Sequence, residues 1–468
     1  MDKPILMSLD ALVQAVQGQL LYSGLAAKTG FSSVAIDSRK VSEAGLFVAL
    51  PGSTQDGHQY IAVAFDSGAS IVLMQEDRLG VYKTTALESA KKHDGAVIIV
   101  PNTLLALQLA ARAYLDQFPG LLKIGITGSS GKTTVKELTA AILGQEKRVI
   151  MNEGNLNSET GLPLSVFRVR SEHQIGIFEM GMNRRGEIGE LAAVLRPDIA
   201  LITNIGTAHI GILGSKDRIA EEKKAIFSQF NGKQIGLVPE KDVFAEYLVR
   251  AVQGNMKLYG PRATVPFGGG RTMGLDGIEF IWNGKVIHIN LTGQHNILNA
   301  IAATALAQEA GASEEAIEKG LSSVTPLFGR GELFKGPVTL IRDCYNANPE
   351  STIAAIEFCD DIDWTGRRFY VIGSMLELGA SSLEAHQRVA LVLAQSKADF
   401  IYLYGSETAC MNEIITETGK KRVLYTTDME LLKKELEESL IPGDLVLLKG
   451  SRGLALEQLT DVIRHQGV

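Results

Sequence analysis

The residues best suited to chemistry sit together in Thr127-Gly128-Ser129-Ser130-Gly131-Lys132-Thr133-Thr134. Glycines let a backbone approach a polyphosphate, and successive N–H groups at a helix N-terminus offer partial positive charge. A lysine adds a point charge and a Ser/Thr hydroxyl can hold Mg²⁺. Gly128, Ser129, Ser130, Gly131, Lys132, Thr133 and Thr134 are therefore candidate nucleotide ligands, against the alternative of a Gly-rich structural turn. Ile126 stands where the strict phosphate-loop pattern has its first glycine, so the loop is a variant form.

Other candidates follow apolar runs. Glu179 ends IGIFE and His209 follows DIALITNIGTA, both at the carboxyl ends of expected strands, where open α/β sheets place ligands. A carboxylate or imidazole there can hold a metal, or be an ordinary strand-end residue. Lys223 and Lys224 lie in DRIAEEKKAIF, whose plain reading is a solvated helix face with i, i+4 pairs. Asn296 and Asn299 share a helix face and either present amides to a base or cap the helix. Asp343 follows VTLIR; Asn348 precedes Pro349, a capping arrangement at a helix start. Arg330, between Gly329 and Gly331, can reach a nucleotide if the segment is a hinge, and is otherwise surface charge. Asp37-Ser38-Arg39 and Asp56-Gly57-His58 are polar loop clusters, each weak alone.

These residues need elements to position them. The first hundred residues alternate short strand-like runs (SVAIDS, GLFVAL, IVLMQ, AVIIV) with polar turns such as PGSTQDGH. LLKIGIT, the Gly/Ser loop and a helix with Val135, Leu138 and Ile142 on one face, stopping at Gly144, form one strand-loop-helix unit. QIGIFEMG and DIALITNIG continue a mostly parallel, helix-covered sheet. From Gly232 to about Leu291 the rhythm changes, which predicts a small antiparallel excursion. It restarts at Phe328-Gly329 with VTLIRD, RRFYVIG, DFIYLYG, RVLYTTD and DLVLLKG, each followed by a helix. The expected fold class is α/β in three domains: 1-101 of mixed α/β structure, 102-328 a central phosphate-loop domain, and 329-468 a Rossmann-like domain.

Composition agrees. At about 150 residues per domain, 468 residues suggest three. Hydrophobic residues at 45% and charged residues at 21% describe a folding chain rather than a disordered one. A net charge of -7 gives no global attraction to nucleic acid or membranes, so phosphate binding must be local. Cys344, Cys359 and Cys410 form no CxxC pair, which argues against a disulfide framework or zinc cage. MDKPILMSLDALVQAVQGQL lacks the features of a secretion signal and no apolar run suits a membrane span, so the expected compartment is the cytoplasm.

Taken together, IDSRKVSEAGLFVALPGSTQDGH, TGSSGKTT, NEGNLNSETGLPL, EMGMNRRGEI, TNIGTAHIG, GQHNILNA, DCYNANPES and LLKGSRG resemble, in order and spacing, the Mur ligases, the ATP-dependent amino-acid ligases of bacterial cell-wall synthesis. The first string is shared with the branch that adds the third peptide residue. EMGMNRRGEI and YNANP resemble the branch that adds D-alanyl-D-alanine. The resemblance implies an N-terminal domain for the UDP end, a central ATPase domain and a closing C-terminal domain. It implies ligation of D-alanyl-D-alanine to UDP-N-acetylmuramoyl-tripeptide through an acyl phosphate, in peptidoglycan precursor synthesis and hence in cell shape and division. ATP and two Mg²⁺ are implied, with no nucleic-acid partner, no membrane insertion and a monomeric state. By resemblance, Lys132 is the phosphate-loop lysine, Thr133 and Glu179 hold the first magnesium, and His209 holds the second together with a lysine, often carbamylated, that Lys223 matches. Asn296, Arg330 and Asp343 match contacts to adenine, phosphate and ribose. Ser38, Arg39, Asn155, Asn157 and Thr160 match the UDP-sugar side, and Asn346, Asn348, Lys449 and Arg452 the peptide or incoming dipeptide. The rivals are the third-residue ligase, a folylpolyglutamate synthetase, and a phosphate-loop switch that forms no amide.

Overall fold

The computed structural model describes residues 4–52, 55–417 and 421–465. Ser53 and Thr54 of the PGSTQDGH turn lie outside them. Strands gather into four sheets. The first contains β1 (Gln19–Ser23), β2 (Ser33–Ala35), β3 (Gly45–Val48), β4 (Ala69–Gln75) and β5 (Ala96–Val100), in the order β1-β5-β4-β3-β2. All its pairings are parallel except β1 with β5.

The central sheet is wholly parallel. It holds β6 (Leu122–Thr127), β7 (Val149–Met151), β8 (Ile175–Glu179), β9 (Ile199–Ile202), β10 (Ile235–Pro239) and β11 (Asn255–Tyr259), in the order β11-β10-β9-β6-β8-β7. Strand β6 lies between β8 and β9, where the winding reverses. The carboxyl ends of these three strands therefore flank a crevice, the site that this topology offers a ligand. Helix Lys132–Leu143 follows β6 directly and buries Val135, Leu138 and Ile142 against the sheet core.

The expected antiparallel excursion starts later than the sequence suggests. Residues 235–239 and 255–259 are parallel strands of the central sheet, the second at its edge, and only β12 (Phe267–Thr272), β13 (Ile278–Trp282) and β14 (Lys285–Ile289) form an antiparallel meander. Helix His295–Glu309 then returns, burying Ala300, Ile301 and Ala303 between meander and sheet.

The last sheet comprises β15 (Glu332–Phe334), β16 (Thr339–Asp343), β17 (Arg368–Gly373), β18 (Phe400–Tyr404), β19 (Arg422–Thr426) and β20 (Leu445–Lys449), in the order β15-β16-β20-β17-β18-β19. It is parallel apart from the β15 edge. Helix Thr103–Leu115 joins the first two units. Its Ala106, Leu107 and Ala110 share one core with Leu46, Val48 and Ile71 of the first sheet and Leu162 and Phe167 of the central unit. Among the described residues no helix is long and apolar enough to cross a membrane.

Candidate active site

The loop after β6 needs two glycines in conformations that L side chains avoid. Gly128 has φ +152 and Gly131 φ +78, and a Cβ on Gly131 would come within 2.4 Å of Asn299 Oδ1. With both in place, the loop is fastened from β9: Ser130 N–H donates to Asn204 Oδ1 at 3.1 Å, Thr203 Oγ1 to Ser130 O at 2.6 Å, and Gly206 N–H to Ser129 Oγ at 2.8 Å. Gly131 caps the helix from the left-handed region, so the first helical N–H groups face the crevice.

Lys132 donates to Gly128 O at 2.8 Å. Enclosure lowers its pKa from the ordinary lysine value; Glu179 opposes that shift and Arg330 adds to it. Glu179 is not a solvated strand-end residue, being only 3% exposed. Its Oε2 accepts from Thr133 Oγ1 at 2.7 Å and its Oε1 from Asn157 Nδ2 at 2.7 Å, while its backbone is gripped by the Asn152 amide. A hydroxyl and a carboxylate held together at a phosphate loop are hard oxygen donors. They suit Mg²⁺, which keeps several waters and takes further oxygens from a polyphosphate, so this pair needs no larger protein cluster.

The doublet Lys223-Lys224 is resolved by its surroundings. Lys224 Nζ donates to Tyr247 O and Arg250 O, both at 2.7 Å, and so caps the helix Ala245–Val249. Lys223 is 2% exposed, and its pKa is driven well below the ordinary lysine value by burial and then by the charge of Lys132, with Glu222 opposing. Glu222 is engaged elsewhere, accepting from Gly186 N–H and Ile188 N–H at the start of helix Glu187–Leu195. His209 Nδ1 lies 3.2 Å from Glu377 Oε2 of the C-terminal unit. The imidazole lowers the Glu377 pKa.

Most candidates border one cavity of about 660 Å³ between the central and C-terminal units. Ser129 through Thr134, Asn155, Asn157, Glu179, His209 and Asn296 line it from the central unit, and Arg330, Asp343, Asn346, Asn348 and Lys449 from the C-terminal unit. Asn296 and Asn299 do both things that the sequence left open: Asn296 Nδ2 donates back to Thr292 O, Asn299 donates to Asn296, and both line the cavity. Arg330 stacks on the Tyr345 ring, 4.1 Å from its centroid. Lys449 is buried and committed to its own unit, pairing with Asp343 Oδ2 at 3.0 Å and donating to Asn346 O at 2.6 Å. Asn348 caps helix Pro349–Asp361 in a capping box with Ser351.

The cavity lining does not include Gly128, Ser38, Arg39, Thr160, Lys223 or Arg452. Gly128 shapes the loop from behind. Ser38 is buried in its own unit, and Arg39 projects into solvent with both its bonds on Asp37. Thr160 borders a smaller recess of about 250 Å³ with Asn183 and Arg184. Arg452 pairs with Glu457 and covers the Phe328 ring. Sequence reasoning passed over Asn152, Asn204, Glu350 and Glu377, which hold the strand-end loops. Asn204 lies inside TNIGTAHIG, so its neighbours could have pointed to it. Asn152 acts on the backbone of a distant strand, and nothing in its sequence context reveals that.

Comparison with known proteins gives three family models in succession along the chain: "Mur ligase family, catalytic domain" over residues 31–115, "Mur ligase middle domain" over 126–307, and "Mur ligase, glutamate ligase domain" over 329–452. The chain is 41% identical to the UDP-N-acetylmuramoyl-tripeptide--D-alanyl-D-alanine ligase of Treponema pallidum, over 99% of this chain and 100% of that one. It is 35% identical to the Bacillus subtilis protein of the same name, over 92% and 93%. Among solved structures, a crystal structure of MurF from Acinetobacter baumannii superposes with TM-score 0.86 at 28% identity, covering 98% and 99%. The MurF ligase of Thermotoga maritima in complex with ADP superposes with TM-score 0.77 at 26% identity, covering 92% and 97%. On these successive family models, and on full-length relatives at 41% and 35% identity, the chain belongs to the Mur ligase family.

Proposed function

We propose that this chain is an ATP-dependent ligase joining D-alanyl-D-alanine to UDP-N-acetylmuramoyl-tripeptide in peptidoglycan precursor synthesis. The observation that carries the reading is the shared cavity, in which the phosphate loop faces the Tyr345-Asn346-Ala347-Asn348-Pro349 segment of the third unit. The names of the full-length relatives support the acceptor and donor, and the Thermotoga maritima ADP complex supports ATP as the nucleotide.

The chemistry explains the residues. A peptide carboxylate is a poor acceptor for an amine, because oxide would have to leave. The carboxylate oxygen takes the γ-phosphoryl group and ADP departs. The amine of D-alanyl-D-alanine then attacks the acyl carbon, an amide forms and phosphate leaves. The difficulty lies in bringing a carboxylate against a polyphosphate, so positive charge must stand where negative charge accumulates. Lys132 and the loop N–H groups supply part of it. Thr133 with Glu179, and His209 with a carbamylated Lys223, would hold Mg²⁺, whose charge would neutralise the rest. Lys223 fits a carbamylated ligand: burial and the charge of Lys132 favour its neutral amine, and uptake of CO₂ with loss of a proton would turn it into an anion. Asn296, Arg330 and Asp343 hold the nucleotide; Asn346 and Asn348 lie on the dipeptide side, with Lys449 bracing them. Ser38, Arg39, Asn155, Asn157 and Thr160 serve the UDP-sugar side.

In this reading residues 1-101, 102-328 and 329-468 are the UDP-sugar, ATP and closing domains. The reading includes a monomeric state and a cytoplasmic location, where ATP and UDP-linked substrates are available. The test is mass spectrometry of the product from UDP-muramoyl tripeptide, ATP, Mg²⁺ and D-alanyl-D-alanine, with free amino acids as competitors. A tripeptide extended by the dipeptide supports the reading. Extension by a single amino acid, or ADP release without an amide, overturns it.

A further inference from the structure

Besides the Lys335–Asp276 pair and the packing of Leu275 on the C-terminal core, the central and C-terminal units meet at a short segment, Thr207–Gly211, which follows β9 and carries His209. It touches the C-terminal unit at three points. His209 faces Glu377. Gly211 lies so close to Gly379 that a Cβ on Gly211 would come within 2.4 Å of Gly379 N. Thr207 Oγ1 donates to Glu350 Oε2 at 2.6 Å, across 143 residues of sequence.

Glu350 is the most heavily engaged of these contacts. It stands in the first turn of helix Pro349–Asp361, directly after the Asn346–Asn348 segment, and lines the cavity. An acidic residue there is an ordinary helix device, and the Glu350 side chain is 33% exposed. It packs beside Gly206, itself against Ser129 of the phosphate loop. Its Oε1 is buried without a hydrogen bond and faces two cations, Lys216 Nζ of the central unit at 4.0 Å and Arg388 Nη1 of its own unit at 3.7 Å. A carboxylate with partners on both units draws them together, and its attraction strengthens as water is excluded.

We propose that Glu350 is a positioning residue that clamps the C-terminal unit to the Thr207–Lys216 segment. It thereby fixes the Asn346–Asn348 segment against the phosphate loop. Thr207 supplies direction through a hydrogen bond, and Lys216 and Arg388 supply charge from either side. The effect on amide formation rests on the ligase reading above; the effect on domain placement does not.

The test uses the full chain with Glu350→Ala, Glu350→Gln, Thr207→Val and the Glu350→Ala/Thr207→Val double variant. Small-angle scattering with and without ADP reads domain placement, ADP titration reads the nucleotide site, and kcat and KM are measured for each variant. The expected result is a larger radius of gyration for Glu350→Ala, ADP affinity within about twofold of the parent, and kcat lower by about tenfold. The losses from Glu350→Ala and Thr207→Val should not multiply in the double variant. Glu350→Gln keeps the side-chain shape and should fall between, which guards against a folding artefact. Unchanged scattering and kcat in both Glu350 variants, or independent losses in the double variant, would overturn the clamp. If the parent itself forms no amide, the ligase reading fails, while scattering still decides the clamp.

Discussion

Lys223 and Lys224 are neighbours with opposite environments, and the difference separates chemistry from scaffolding. Lys224 is bonded to two carbonyls at the end of a short helix, lies over the Tyr247 ring and is partly exposed. Lys224→Ala should cost about 1 kcal/mol of stability and leave turnover nearly intact. Lys223→Ala should fold normally and lose amide formation by about 10²-fold or more. Bicarbonate depletion should slow the parent but not the Lys223 variant. Thermal melts and initial rates on the two variants check both statements, and a Lys224 variant with the larger kinetic defect would reverse the assignment. Glu179 gives a second residue-scale prediction. Glu179→Gln preserves an acceptor for Thr133 but removes the charge, so the Mg²⁺ concentration for half-maximal rate should rise by at least about tenfold. A magnesium titration at saturating ATP reads it.

At the scale of elements, the segment 328–332 packs against the C-terminal unit. Phe328 lies between the guanidinium groups of Arg342 and Arg452, at 4.4 and 5.1 Å from its ring centroid, and Gly329 O accepts from Tyr345 N–H. Arg330 therefore travels with Tyr345, whose ring supports it. Tyr345→Leu should raise KM for ATP by about two- to fivefold, the equivalent of a lost cation–π contact of about 0.5–1 kcal/mol. Tyr345→Phe should restore it; equal effects of both variants would show that the ring does not support the arginine. This arrangement was only partly legible beforehand. Strand-loop-helix units declare themselves through short apolar runs followed by 3.6-residue periodicity, so β6, β8, β9 and the C-terminal strands could be read directly. Residues 255–259 could not, because an edge strand is exposed on one side and its pattern, NMKLY, carries polar residues at alternating positions. The phosphate loop was visible because its chemistry is local. The Thr133–Glu179–Asn157 network and the Lys223 environment were not, because they depend on which strand lies beside which.

For the molecule as a whole, the question is how an acyl phosphate survives in water. The cavity borders two units whose backbones touch at Gly211 and Gly379, so its dryness depends on how closely those units can approach. Gly379 has φ +53, and neither position has room for a side chain. Gly211→Ala should hold the units slightly apart without touching the phosphate loop, Glu179 or the nucleotide side. ATP would still bind and the γ-phosphoryl group would still reach the peptide carboxylate. Water would then compete with the amine, and a fraction of the intermediate would revert to acid and phosphate. The expected signature is a change in stoichiometry more than in rate: one ADP per amide in the parent, and more than one in the variant. High D-alanyl-D-alanine should push the ratio back toward one, because amine and water compete for the same carbonyl. Coupled ADP release and mass-spectrometric product counts on the same sample measure it. A variant that slows ADP release and amide formation equally would mean that the interface governs phosphoryl transfer itself rather than the protection of its product.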